Sequence, residues 1–260
     1  MKVTFIYHSA FLVELERCSL LFDWYGGDLP KIDRTKPLYV FASHHHGDHY
    51  SPEIFSRFGM DNVWYILATC IRLSAKRKAD LGIQEDHVFR MPARSSLVLD
   101  GLHIKTYRST DAGVAFLVEA EGKTLFHAGD LQWWHWEEEP KAWNTAMEKD
   151  FKTECAKLQG IPINVAFLVL DPRQEDAFWW GFDWWMRHLE IKTVFPMHSW
   201  EEFSIVKRLK ALPCSIPYRD KVHEIYDVFR FSRKPFSKFR ILCCHTYRTG
   251  IQVADTHHDT

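Results

Sequence analysis

Seven consecutive residues carry most of the chemistry that can be read here: Ser43-His44-His45-His46-Gly47-Asp48-His49. Imidazole is the commonest metal-ligating side chain and the usual acid–base group near neutral pH. At the end of an extended strand, residues i and i+2 point to the same side. His44 and His46 therefore present two imidazoles together, while His45 points away. Gly47 permits a sharp turn in a conformation that other residues avoid. Asp48 and His49 then come round with a carboxylate and a third imidazole. The spacing predicts two adjacent half-sites, one from His44 and His46 and one from Asp48 and His49. Two metal ions about 3.5–4 Å apart can share a hydroxide in such an arrangement. Without a metal or other partners, histidines this close repel one another whenever they are protonated.

Four residues cannot complete two sites, and later strand ends supply candidates. Thr124–Asp130 (TLFHAGD) reads as a strand running into Gly-Asp, where the two oxygens of Asp130 can bridge both metals. Lys192–His198 (KTVFPMH) is a second strand, ending in a histidine. Each alone is more often structural; together with the first motif they make a ligand set. Asp171-Pro172-Arg173 follows the apolar run Val165–Leu170. A strand-end arginine offers a planar fork to an anionic substrate group, or else braces a loop.

Elements must hold these residues in place. Val3–Tyr7, Phe11–Glu16 and Ser19–Asp23 read as short strands. Pro37–Ser43 is nearly continuously apolar, as expected of a strand buried on both faces. Ser51-Pro52-Glu53 reads as a helix start. A strand at Val63–Ala68 and a basic helical stretch at Ile71–Lys78 follow. Further strands are predicted at Ser96–Leu99, Leu102–Tyr107, Val114–Glu119 and Thr124–His127, with hairpin connections at Asp100-Gly101 and Glu121-Gly122-Lys123. Then come a long charged helix over Glu137–Leu158, a strand at Val165–Leu170, a helix over Glu175–Leu189, a strand at Lys192–Pro196 and a helix over Glu201–Leu212. Two sheet-forming halves with helices outside and no linker predict one α/β (α+β) domain over residues 1–230. Residues 231–260 read as a C-terminal extension of no assigned role, holding the vicinal pair Cys243-Cys244.

Composition bounds the function. Lys plus Arg is 33 and Asp plus Glu is 34, so a net charge of −1 argues against a nucleic-acid binder. Fifteen histidines favour a search for metal, and the 46% apolar content suits a soluble globular chain. The six cysteines form no CxxC pair, which excludes a zinc ribbon and predicts reduced thiols. No secretory leader and no 18-residue apolar stretch is present, so no membrane span and a cytoplasmic location are expected. The tryptophan runs Trp133-Trp134-His135-Trp136 and Phe178–Trp185 read as core or subunit interface, which allows a homo-oligomer, or as an aromatic wall over a site.

With these residues in view, the sequence resembles the metallo-β-lactamase superfamily, in particular the metal-dependent hydrolases that include ascorbate-6-phosphate lactonase. The resemblance runs from Val3 to Leu212. Its carriers are His8-Ser9, LLFD ending at Asp23, HHHGDH, FHAGD ending at Asp130 and FPMH ending at His198. It implies a four-layered αβ/βα sandwich with a dinuclear site at one edge. His44 and His46 would hold the first metal; Asp48, His49 and His198 the second; Asp130 would bridge. Asp23 would brace the metal-binding loop, and His127 would support Asp130 without ligating.

One departure stands out. The family usually places another first-metal histidine before the Gly-Asp motif, where this chain reads Thr106-Tyr-Arg-Ser-Thr-Asp-Ala-Gly113. Asp111 is the oxygen donor that can substitute, Ser109 a weaker one, and His103 a poor candidate because of its strand alternation. An oxygen donor shifts the first site from zinc toward harder metals such as manganese; iron is a further candidate. His8 is read either as a group facing the site, carrying protons, or as a buried hydrogen-bonded histidine.

The implied activity is metal-assisted hydrolysis of a small-molecule ester, lactone or phosphodiester by a metal-bound hydroxide, with Asp48 also able to relay a proton. The competing reading is a catalytically inactive metal-binding sensor or partner-binding protein on the same scaffold, motivated by the missing histidine.

Overall fold

Side chains alternate across a strand, so a strand that is apolar at every position must be covered on both faces. The first sheet shows this directly. In β2 (Ala10–Glu14), β3 (Ser19–Phe22), β4 (Leu38–Ala42) and β5 (Val63–Ala68) nearly every residue is buried. Phe11, Phe22, Tyr39, Phe41 and Ile66 join one apolar cluster, shared with the second sheet. Leu12, Leu21, Val40, Tyr65 and Leu67 join another, with Ile54, Phe55 and Phe58 of α1 (Glu53–Phe58). The computed structural model describes residues 1–225, so the predicted extension over 231–260 lies outside the described residues.

Strand order in the first sheet is β1-β2-β3-β4-β5-β6, with β1 at Lys2–Tyr7 and β6 at Val88–Met91. β1, β2 and β3 pair antiparallel, and β3 through β6 pair parallel. The second sheet runs in reverse order, from β12 (Val194–Met197) through β11 (Val165–Val169), β10 (Lys123–His127), β9 (Val114–Ala120) and β8 (Leu102–Arg108) to β7 (Ser96–Leu99). Here β10, β11 and β12 are parallel and the rest antiparallel.

Aromatic rings lock the sheets together. Phe11 meets Phe167 at 4.4 Å between centroids, and Phe41 meets Phe116 at 5.3 Å. On the far side of the second sheet, Phe126 packs on Trp185 of α4 (Trp180–His188), which also meets Phe151 of α3 (Lys141–Cys155). α2 (Ala75–Asp80) and α5 (Ser204–Ala211) complete the helices of the described residues. This is the expected layering of helices outside two sheets.

Some boundaries differ from the sequence expectation. The helix read over Ile71–Lys78 starts at Ala75, where the Ser74 hydroxyl accepts the Arg77 N–H. The helix read from Glu137 starts only after Pro140, whose ring tolerates a helix start but not its interior. The helix read over Glu175–Leu189 is split, because Glu175 sits at φ 49° in a 3-10 turn over Pro172–Ala177. β6 was not expected; VFRM is too short and mixed to show a period. No helix among the described residues is long and apolar enough to cross a membrane. Cys18, Cys70, Cys155 and Cys214 are free thiols.

Candidate metal centre

Parallel strands deliver their carboxyl ends to one edge, where open α/β sheets place their ligands. β3 ends at Asp23, β4 leads to His44, β10 to Asp130, β11 to Asp171 and β12 to His198. β1 runs in the same direction as β3 and ends before His8. Three of these residues are in the left-handed region: His8 at φ 50°, Asp23 at 44° and His198 at 68°. Such conformations are costly for residues with side chains and cluster at functional sites.

The His44–His49 loop closes on itself when the His49 and Tyr50 N–H groups donate to the His46 carbonyl. His44 and His46 meet with ring centroids 4.6 Å apart, and His45 is exposed, as the spacing predicts. The expectation for Gly47 needs correction. Gly47 is not among the positive-φ glycines, and a Cβ built on it meets nothing within 4 Å. The glycines that the site requires are Gly113 (φ 70°) and Gly129 (φ 51°), both pressed against Ser43.

Hydrogen bonds fix which imidazole nitrogen faces inward. His49 Nδ1 lies 2.8 Å from Asp23 Oδ2, and His198 Nδ1 lies 2.9 Å from Asp171 Oδ2. A carboxylate only accepts, so both Nδ1 atoms carry the proton. The Ser43 hydroxyl gives its proton to Asp23 at 2.6 Å, so the His44 Nδ1–H must donate to the Ser43 Oγ at 2.9 Å. The Ser43 N–H also donates to Asp23. Three Nε2 lone pairs are thereby turned toward Asp130: His44 at 3.4 Å, His49 at 3.1 Å and His198 at 3.4 Å from its oxygens. Nε2 atoms of His49 and His198 are themselves 3.2 Å apart.

Acceptors facing acceptors at these distances require a cation or extra protons between them. Asp130 Oδ1, His44 Nε2 and His8 Nε2 are buried and have no hydrogen-bond partner. A divalent metal suits this donor set, and His44, His49 and His198 each have the outer hydroxyl or carboxylate that orients metal-binding histidines. Protonation is the other answer to the same crowding. Burial opposes charge on His49, yet Asp130 and Asp23 on its two sides raise its pKa well above the usual value. Burial likewise opposes ionisation of Asp130, but His49, His44 and His198 hold its carboxyl well below the ordinary range. Burial and then the neighbouring His198 bring His8 down to about 3.

Four groups of side chains offer donor atoms within 4.8 Å of one another: His8, Asp48, His49 and His198; His44, His46 and Asp48; His44, His49 and Asp130; and His46, Asp111 and Asp130. Asp111 Oδ2 lies 3.6 Å from His46 Nδ1, and both side chains are nearly half exposed. The loop before Gly113 thus brings a carboxylate oxygen to His46. Ser109 is buried and its hydroxyl accepts the Asp111 N–H. His103 is exposed on β8, away from the cluster.

Supporting residues surround the centre. The His127 Nε2–H donates to the Ser9 carbonyl, and Nδ1 accepts the Gly129 N–H beside Asp130, with the ring stacked on Phe22. Arg173 turns onto Asp171, its Nε 3.0 Å from both carboxylate oxygens, and lies 4.3 Å from the centroid of Trp200. Asp171 therefore anchors His198, Arg173 and the Trp200 indole N–H together. Sequence reasoning passed over Asp171, although FLVLD repeats the LLFD pattern of an apolar strand ending in aspartate. Of the tryptophan runs, Trp134 approaches His198 at 5.8 Å and donates to the Asp130 carbonyl, whereas Trp185 is fully buried core.

Comparison with known proteins agrees with this architecture. No family profile matches the chain. Half of the chain is 33% identical to a UPF0173 metal-dependent hydrolase of Desulforamulus reducens, over 147 residues, and half is 29% identical to one of Korarchaeum cryptofilum. The matched segments span 62% and 60% of those relatives' lengths. Igni18, a metallo hydrolase of Ignicoccus hospitalis, superposes with a TM-score of 0.57 at 16% identity, over 86% of this chain and 94% of that one. YhfI of Bacillus subtilis, a metallo-β-lactamase fold protein, superposes with a TM-score of 0.50 at 11% identity, over 78% and 85%. The chain has the metallo-β-lactamase fold. In that fold, two sheets face each other between helices, and here their carboxyl-end edges share the histidine and aspartate cluster.

Proposed function

We propose that this chain is a metal-dependent hydrolase acting on a small-molecule ester, lactone or phosphodiester at the His/Asp cluster. The observation that carries the reading is the convergence of three Nε2 lone pairs on the buried Asp130, with Asp130 Oδ1 and His44 Nε2 otherwise unpartnered. The names of its curated relatives support the same reading.

His44, His46 and Asp111 would hold one metal, Asp48, His49 and His198 a second, with Asp130 between them. Zinc suits the imidazole-rich half, and manganese or iron the half with more oxygen donors. A divalent metal held there would supply an acidified water and a Lewis acid for the substrate oxygen. The chain supplies the rest. Burial disfavours charge on Asp48, but His8, His49 and His198 hold its carboxyl well below the ordinary range, so it stands ionised and ready to hold a cation. Its side chain is 21% exposed, enough to reach substrate. Asp23 and Asp171 hold His49 and His198 in the tautomer that leaves Nε2 available. Beside the centre, Tyr7, Tyr25, Trp200, Glu201 and Phe203 line a cavity of about 200 Å³, which suits a small substrate group.

The test is hydrolysis of an ester, lactone and phosphodiester panel by metal-loaded protein, before and after chelation. Turnover of one class that disappears with the metal supports the proposal. Full metal occupancy without turnover of any class overturns it in favour of a metal-binding sensor.

A further inference from the structure

We infer that His8 is a metal-binding residue, the fourth protein donor of the half-site formed by Asp48, His49 and His198, and that this half-site is closed while the one at His46 and Asp111 is exchangeable. The inference rests on the metal-dependent reading above and deepens it.

The donor atoms of His8, Asp48, His49 and His198 all lie within 4.8 Å of one another. His8 Nε2 is 3.6 Å from Asp48 Oδ2 and has no hydrogen-bond partner, although it is buried. An orphaned imidazole nitrogen aimed into a group of carboxylate and imidazole donors is what a ligand looks like without its ion. Aromatic rings crowd it on several sides. It packs 4.1 Å from the His198 ring and 4.5 Å from Trp200, with Tyr25 at 6.2 Å. Its backbone is held at φ 50°, and its carbonyl accepts the His198 N–H across the two sheets. The two histidines are therefore positioned as a unit.

Burial separates the half-sites. The inner one has three imidazoles and one carboxylate before the shared Asp130 is added, and only Asp48 among them is not buried. The outer one has His46 and Asp111, grouped with Asp130, and their side chains are 42% and 49% exposed. Buried donors shield an ion from water and chelator, whereas exposed ones leave it open to both. One metal should then stay and the other exchange.

Cobalt(II) tests this. Metal-free protein is loaded with Co²⁺, passed briefly through a chelator, and measured for retained cobalt and for its visible absorption. Wild type should keep one equivalent and lose the other. His8→Ala should lose the retained ion more readily by over ~100-fold, beyond what losing an outer hydrogen-bond partner costs, and change its absorption bands. Asp111→Ala should affect only the exchangeable ion. His8→Phe preserves ring volume, and its far-UV circular dichroism shows whether the fold survives. If folded His8→Phe and His8→Ala retain cobalt with the wild-type spectrum, His8 is not a ligand and the inference falls while the hydrolase reading stands. If wild type binds no cobalt, both fall.

Discussion

Asp23 and Asp171 decide the tautomer of the histidines they touch, and a tautomer is worth testing because it costs little to disturb. Asp171→Asn keeps an oxygen for His198 Nδ1 but removes the charge that also holds Arg173 and Trp200. Metal affinity should fall ~10–100-fold with the fold intact, as titration with Zn²⁺ would show. Unchanged affinity would mean that His198 needs no such anchor. At this scale the sequence was most informative where one short segment carries the chemistry. His44 through His49 is such a segment. It was least informative where backbone conformation aims a side chain. Nothing in the letters tells that His8 and His198 adopt left-handed φ values, and Gly47, the residue expected to need freedom, does not use it.

Loops between strands bring the two sheets within contact at the site, and glycine is required where they touch. The Val114 N–H donates to the Ser43 carbonyl, joining β9 to the end of β4. A Cβ on Gly113 would lie 2.0 Å from that carbonyl oxygen and 2.6 Å from the His44 Cβ, at φ 70°. Gly113→Ala should cost roughly 3 kcal/mol or more and displace His44, whereas Gly47→Ala should change stability by less than about 0.5 kcal/mol. Urea midpoints of the two variants check the contrast; equal midpoints would refute it. Behind the same loop, Glu154 of α3 accepts the Arg108 N–H and pairs with Arg94 and Lys157. Burial opposes its charge, but these partners bring its pKa from 4.5 to about 2. A carboxyl lowered on folding stabilises the protein above its unfolded pKa, and that stability is lost as the pH falls from 4.5 toward 2. Wild type should exceed Glu154→Gln by roughly 2–3 kcal/mol at neutral pH, and the gap should close across that window. A gap that is independent of pH would show that the carboxylate charge is not what matters. The short strands were legible through their β-branched and aromatic runs, but β6 and the late start of α3 were set by pairing and by Pro140.

For the described residues together, a sheet covered on both faces could be read from strands that are apolar at every position, since Phe22 and Leu21 are buried in clusters on opposite faces. The division of labour among distant residues could not, because His8 and His198 are far apart in sequence and meet only when the two sheets pack. A metal that binds the folded chain and not the unfolded one stabilises it by mass action. At a hundredfold excess over Kd, the thermal midpoint should rise by about 5–10 °C and fall back on chelation. A midpoint indifferent to metal would separate the cluster from any binding. If His44, His49, His198 and Asp130 form a metal centre, the metal content of the protein shows it most directly. Protein purified without chelators should carry about two equivalents of divalent metal per chain by inductively coupled plasma mass spectrometry. A folded His44→Ala/His198→Ala double variant should carry far less. Wild type with no metal after incubation with Zn²⁺ or Mn²⁺, or a double variant with wild-type content, would contradict the account.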